Sequence, residues 1–197
     1  MKKIGLTGGI ACGKSTFVEM LIENKFKVID SDKIVRDILE NDREISLYIE
    51  ENFSPSFILN GKILRKEFGE YIFSHEKERI KYEEFIMPKI FKKIDDEFSF
   101  YEKNGEKICI LDAPLLIEKK LHEKMDYVIL IWANKEVQLQ RLIKRDNISK
   151  ESAMLRINAQ MDIDIKIRFA DFVIDNSKGR EYLKEQIIHL CSILETL

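Results

Sequence analysis

Four groups of residues in this chain have the types and spacings needed for chemistry on a phosphate. The first is the run LTGGIACGKST, residues 6–16. There Gly8 is followed after four residues by Gly13, Lys14 and Ser15. Glycines let a backbone curl until several N–H groups converge on phosphate oxygens, with the positive end of the next helix behind them. In such a loop Gly8, Gly9, Ala11, Cys12, Gly13 and Thr16 line the cradle. Lys14 can reach the β- and γ-phosphates of a nucleotide, and Ser15 can bind Mg²⁺. The second is Asp112, which closes the apolar run ICILD. A carboxylate there can face the loop and hold Mg²⁺ directly or through water, or it can cap the turn before Pro114. The third is Asp30-Ser31-Asp32, after the run KVID. One of its carboxylates can accept the proton of an attacking hydroxyl while the other caps the helix KIVRDILE. The fourth is the basic run Arg141, Lys144 and Arg145, with Arg156, Lys166 and Arg168 beyond it. Arg141 and Arg145 share a helical face. Two guanidinium groups there suit a polyphosphate whose charge shifts during transfer, and a solvated charged face is the other reading.

These groups need a frame. Residues 3–7, 27–30, 107–112, 126–132 and 171–175 are short apolar runs that read as strands. The run DYVILIW is nearly all apolar, as expected when both faces of a strand are covered. Residues 14–24 and 180–195 carry apolar side chains at helical spacing, with Leu183, Ile187, Leu190 and Leu194 on one face of the latter. Strands alternating with helices predict a parallel α/β sheet of about five strands with right-handed crossovers. Between Asp30 and Lys107 no strand is expected, only charged helical pattern with turns near NFSPS and LNGK. Residues 31–100 therefore read as a helical insertion, and 135–168 as a second charged helical stretch, inside one domain spanning 1–197.

The chain is 45% hydrophobic and 35% charged, enough to bury a core. Its net charge of −2 argues against a general nucleic-acid or membrane-surface binder. Cys12, Cys109 and Cys191 share no metal or redox spacing, so a reducing compartment and a cytoplasmic location are expected. Thr7, Gly8 and Gly9 interrupt the apolar start too early for an export signal. His75, His122 and His189 are isolated, which gives no triad and no zinc site. Trp132 ends a strand and is expected in the core. Cys12, beside Lys14 at a helix N-terminus, is expected to have a lowered pKa, to be oxidisable, and to be shielded by ATP.

A GTPase switch needs Asn-Lys-x-Asp to read guanine, and the nearest match, Asn134-Lys135-Glu136-Val137, lacks the aspartate. A passive nucleotide binder has no need of a second acidic site and an arginine helix. A small kinase remains, with a helical region for the acceptor and an arginine-bearing lid that excludes water.

In order along the chain, IGLTGGIACGKST, VIDSDKIVR, NGKILRKEFGEYIF, IMPKIFKKI, LDAPLLIE, QLQRLIKRD, RINAQM and ADFVIDNSKG resemble the dephospho-coenzyme A kinase family almost end to end. The resemblance implies a three-layer parallel sheet of the P-loop NTPase type, with an acceptor-binding helical insertion at 31–100 and a lid at 135–168. It implies transfer of the ATP γ-phosphoryl to the ribose 3′-hydroxyl of dephospho-coenzyme A, with another small-molecule or nucleoside monophosphate kinase as the alternative. By the same likeness Lys14 and Ser15 hold ATP and Mg²⁺. Asp32 partners the attacking hydroxyl. Arg141 is the lid arginine, with Arg145 as its helper. Arg65 sits in the acceptor region, and Asn176 approaches the adenine end. A small-molecule acceptor, no nucleic acid, no membrane and a monomer or weak homo-oligomer complete the expectation. Many family members have glycine and serine where this chain has Ala11 and Cys12, and histidine where it has Met87.

Overall fold

A computed structural model describes residues 1–197. In chain order the elements are β1 (Lys2–Gly8), α1 (Lys14–Glu23), β2 (Lys27–Asp30), α2 (Ser31–Asn41), α3 (Arg43–Asn52), β3 (Ile58–Leu59), β4 (Lys62–Ile63), α4 (Arg65–Ser74) and α5 (Glu76–Lys103). They continue with β5 (Ile108–Asp112), β6 (Tyr127–Trp132), α6 (Lys135–Asp146), α7 (Lys150–Asn158), α8 (Ile163–Lys166), β7 (Phe172–Asp175) and α9 (Arg180–Leu194).

The main sheet has five strands in the order β2-β5-β1-β6-β7. The pairs β1–β5, β1–β6 and β6–β7 are parallel. A parallel sheet needs both faces covered, and the sequence supplies the cover. Phe17, Met20 and Leu21 of α1 and Leu183, Ile187, Leu190 and Leu194 of α9 are buried against Ile4, Leu6, Ile110 and residues 129–131. Each such side chain contributes about 1.5–3 kcal/mol when fully buried. The expected parallel α/β sheet is therefore present, with strand ends differing from the expectation by a residue.

The central strand is what positions the site. Leu6 of β1 pairs with Asp112 of β5, and Gly8 pairs with Ile131 of β6. The carboxyl ends of three strands thus open at one place, the usual position for a ligand in such a sheet. A Cβ on Gly8 would lie 2.9 Å from the Ile131 carbonyl oxygen, so only glycine lets the chain turn there.

The chain forms two compact units, Met1–Ile29 with Phe100–Leu197, and Asp30–Ser99. The second is mainly helical, with Ile34, Ile38, Ile45, Ile49 and Phe68 buried. It also holds a hairpin that the sequence reading did not expect. β3 and β4 pair antiparallel across Asn60 and Gly61, whose φ values are 52° and 73°. Asn-Gly is the pair that most readily takes two successive left-handed residues in a hairpin turn.

The stretch 135–168 is helical as expected, and is divided into α6, α7 and α8. Asn147, left-handed at φ 51°, ends α6, and Ser149 caps α7 by accepting from the Ser152 N–H. Asp162 then caps α8 by accepting from Asp164 N–H. Short polar side chains that satisfy the first amides of a helix are the reason for the breaks.

Candidate active site

The loop between β1 and α1 carries the candidate chemistry. Gly13 stands at the N-terminus of α1 with φ 85°, and no side chain caps the helix. No acidic residue occupies the first turn. The open amides and the positive helix end are therefore left for an external anion. Lys14 begins α1 and rests its ammonium on the Asp112 carboxylate at the end of β5. Ser15, the next residue, is exposed.

Arg141 enters from α6. One of its terminal nitrogens, Nη2, donates to the Asn176 carbonyl at 2.8 Å. The other, Nη1, is buried and has no hydrogen-bond partner. It lies 3.9 Å from where a Cβ on Gly13 would be. A buried guanidinium nitrogen left unsatisfied beside a glycine-rich loop is a donor awaiting an acceptor, because such groups are costly to leave unpaired.

Arg145 does not share that position. It is exposed and grips Asp146 through Nε at 2.7 Å and Nη2 at 3.2 Å. Arg156 also reaches Asp146, at 2.6 Å. The two arginines hold the Asp146 carboxyl below the usual carboxylate range, Arg145 foremost.

Asn176 follows β7 and lies against the loop. It is buried, and its side-chain Nδ2 donates to the Cys12 carbonyl at 2.7 Å. The vacant Cβ position of Gly13 lies 2.1 Å from the same Nδ2. The amide thus fills the space that a side chain at Gly13 would need.

Two glutamines lie against the loop as well, one of them bonded to it, and sequence reasoning missed both as site residues. Gln160, two residues past α7, accepts from the Ile10 N–H at 2.9 Å. Gln138 is buried on α6, donates to the Ala133 carbonyl at 2.8 Å, and holds its Oε1 2.9 Å from the Cβ position of Gly9. Next to Ile10, Ala11 is left-handed at φ 58°. That conformation costs an alanine about 1 kcal/mol relative to its preferred ones.

Cys12 corrects an expectation. Its thiol is fully buried, and burial pushes its pKa from 9.0 up to about 11, against the lowering by nearby backbone hydrogen bonds, Arg141 and Lys166. The helix N-terminus and Lys14 do not make it a reactive thiolate, because desolvation disfavours the charged form more strongly. Trp132 packs against the core as expected, though at its margin. It is half-buried, and its indole N–H donates to Asp164 at 2.8 Å. It borders a cavity of about 240 Å³ that also touches Gly9, Gln138 and Gln160.

Beneath the loop lies a buried cation. Lys166 is completely buried, donates to the Pro114 carbonyl at 3.1 Å, and lies 2.9 Å from Glu118 Oε1. The contact with Glu118 is an ion pair rather than an aligned hydrogen bond, since both Glu118 oxygens are buried without a hydrogen-bond donor. Thr7 donates its hydroxyl to the same Pro114 carbonyl at 3.1 Å.

In the unit Asp30–Ser99, Asp30 caps α2 by accepting from the Lys33 N–H at 2.9 Å. Asp32 sits in the first turn of that helix and is exposed. The two neighbouring carboxylates therefore divide, one capping and one facing solvent. Arg65 opens α4 and pairs with Glu40 at 3.3 Å.

The chain is similar to known proteins in sequence and in fold. The sequence model of the dephospho-CoA kinase family matches residues 2–181. The chain is 46% identical to a dephospho-CoA kinase of Clostridium tetani, over 99% of this chain and 87% of that protein. Its structure is similar to that of a dephospho-CoA kinase from Campylobacter jejuni, with a TM-score of 0.75 and 34% identity over 98% of each chain. A shikimate kinase from Bacteroides thetaiotaomicron, 15% identical, aligns over 98% of each chain with a TM-score of 0.55 and shares the fold alone.

Proposed function

The chain belongs to the dephospho-CoA kinase family, and we propose that it transfers the γ-phosphoryl group of ATP to the ribose 3′-hydroxyl of dephospho-coenzyme A. The products are coenzyme A and ADP, the last step of coenzyme A formation. The observation that carries this reading is the buried, unpaired Arg141 Nη1 beside Gly13, at an α1 terminus that nothing caps. Those donors suit the charge that develops on a phosphoryl group in flight.

In this reading the backbone of residues 8–16 cradles the β- and γ-phosphates, and Lys14 leaves Asp112 to contact them. Arg141 supplies the planar guanidinium that stabilises the transferring group. Asp32, exposed at the start of α2, takes the proton of the attacking 3′-hydroxyl. Arg65 belongs to the acceptor region formed by 31–100, and the stretch 135–168 acts as a lid whose closure excludes water. Transfer is direct and in line, with no phosphoenzyme.

Mg²⁺ fits the donors present. Ser15 offers an exposed hydroxyl next to Lys14, and the Asp112 carboxylate already faces that lysine. Both are hard oxygen donors of the kind that ion takes. Bound by Ser15 and Asp112, it would neutralise charge between the β- and γ-phosphates. No helix is long and apolar enough to cross a membrane, and the enzyme acts in this reading as a cytoplasmic protein.

ADP release from Mg·ATP tests the proposal, with dephospho-coenzyme A, AMP, adenosine or no acceptor. Release with dephospho-coenzyme A alone, and recovery of coenzyme A, supports it. Release with AMP or adenosine instead makes this a different kinase. Release without an acceptor makes it a hydrolase.

A further inference from the structure

The strained residue of the phosphate loop is flanked by two side-chain amides of opposite polarity. Ala11 is left-handed at φ 58°. On one side of it the Ile10 N–H is held by Gln160 Oε1 at 2.9 Å. On the other the Cys12 carbonyl is held by Asn176 Nδ2 at 2.7 Å. A left-handed alanine persists only where its surroundings over-determine it. Here the loop's own backbone supplies just one nearby bond, from the Cys12 N–H to the Gly9 carbonyl at 3.3 Å.

We propose that Gln160 and Asn176 are positioning residues that hold Ala11 left-handed and so preset the phosphate loop for nucleotide. Neither needs to touch the ligand. They act by fixing the Gly9–Ile10 and Cys12–Gly13 peptide groups, each one peptide removed from the strained residue, so the loop does not spend binding energy on ordering itself when nucleotide arrives. Gln160 ends the stretch that carries α6 and α7, and Asn176 also hands its carbonyl to Arg141 Nη2 at 2.8 Å. The same clamp therefore ties loop shape to the placement of the arginine. The proposal rests on nucleotide binding at this loop, which is part of the kinase reading, but not on the identity of the acceptor.

The test is calorimetric binding of Mg·ADP to the full chain. Gln160→Met keeps the side-chain length and removes the acceptor. It is expected to weaken ADP binding about tenfold, the effect of losing one well-placed hydrogen bond. Gln160→Glu keeps an acceptor for the Ile10 N–H and is expected to bind ADP more tightly than Gln160→Met. The decisive variant is the double substitution Gln160→Met with Ala11→Gly. Glycine adopts positive φ freely, so this pair should recover most of the lost affinity. A general structural role for Gln160 predicts no such recovery.

Unchanged affinity in Gln160→Met, or a loss that Ala11→Gly does not reverse, overturns the proposal. Asn176→Ala, tested with and without Ala11→Gly, repeats the experiment from the other side of the loop. If Gln160→Met does not fold, that pair decides the matter. Tight ADP binding with no phosphorylation of dephospho-coenzyme A would defeat the acceptor assignment and leave the clamp standing.

Discussion

The ammonium of Lys14 rests on the carboxylate of Asp112, one at the start of α1 and the other at the end of β5. Both side chains are largely buried, at 16% and 12% exposure. Without nucleotide the lysine thus has a partner, and the loop carries no buried lone cation. Lys14→Ala is expected to lower turnover by roughly 10²–10³, the usual loss when a fixed electrostatic donor is removed from a transition state. Asp112→Asn should raise the Mg²⁺ concentration needed for half-maximal rate. The check is steady-state kinetics at varied Mg²⁺; unchanged turnover in Lys14→Ala would remove the lysine from the mechanism.

Asp30 and Asp32 are two residues apart and should respond oppositely. Asp30 caps α2, so Asp30→Ala should cost about 1 kcal/mol of stability, read by denaturant unfolding. Asp32 is exposed and does not cap. Asp32→Asn should fold normally and bind ATP, while turnover drops by about 10²–10⁴, the range for loss of a general base. Full activity in that variant would put the proton acceptor elsewhere.

Arg141 and Arg145 also separate. Arg141→Lys cannot both hold the Asn176 carbonyl and present a second donor toward Gly13. Its kcat/KM should fall by at least about tenfold more than that of Arg145→Lys, because Arg145 is spent on Asp146. Equal losses in the two variants would contradict the orientation seen here.

Lys166 and Glu118 form a buried ion pair beneath the site. Lys166→Met strands the Glu118 carboxylate, and breaking one partner of such a pair costs about 3–5 kcal/mol. Lys166→Met combined with Glu118→Gln should be less destabilised than Lys166→Met alone. Thermal unfolding of the single and double variants measures the difference.

The buried Cys12 thiol has a pH signature. Its pKa is raised from 9.0 to about 11 by burial, so the folded protein keeps the proton where the unfolded chain releases it. The resulting stabilisation is whole below about pH 9 and is lost as pH rises from about 9 towards about 11. Alkylation of Cys12 in the folded enzyme should therefore be slow at neutral pH and should still be accelerating above pH 9. A rate that levels off near pH 7 would mean that the thiol is activated after all.

Much of the frame could be read directly. β1, β5, β6 and β7 are apolar runs, and α9 repeats leucine and isoleucine at helical spacing, so burial and periodicity pointed the same way. β3 and β4 have two residues each, too few to carry an alternating pattern, although the Asn60-Gly61 turn between them was visible. The loop chemistry was legible because Gly8, Gly13, Lys14 and Ser15 are close in sequence. The clamp was not, because Gln160 and Asn176 bond to backbone atoms 150 and 164 positions away. Cys12 was misjudged for a related reason. The sequence displayed its neighbour Lys14 but not the packing that removes it from water.

The order of the sheet sets a schedule for synthesis. β1, the central strand, pairs only with β5 and β6, and the edge strand β2 pairs only with β5. Neither has a strand partner until residues 108–112 have left the ribosome, by which time all of Asp30–Ser99 has been made. At about 5–20 residues per second, β1 waits roughly 5–20 s with its backbone edges unpaired and its apolar side chains without the rest of the sheet. The nascent chain is therefore most open to chaperones, and to aggregation, during that interval, and the phosphate loop takes shape only after it ends.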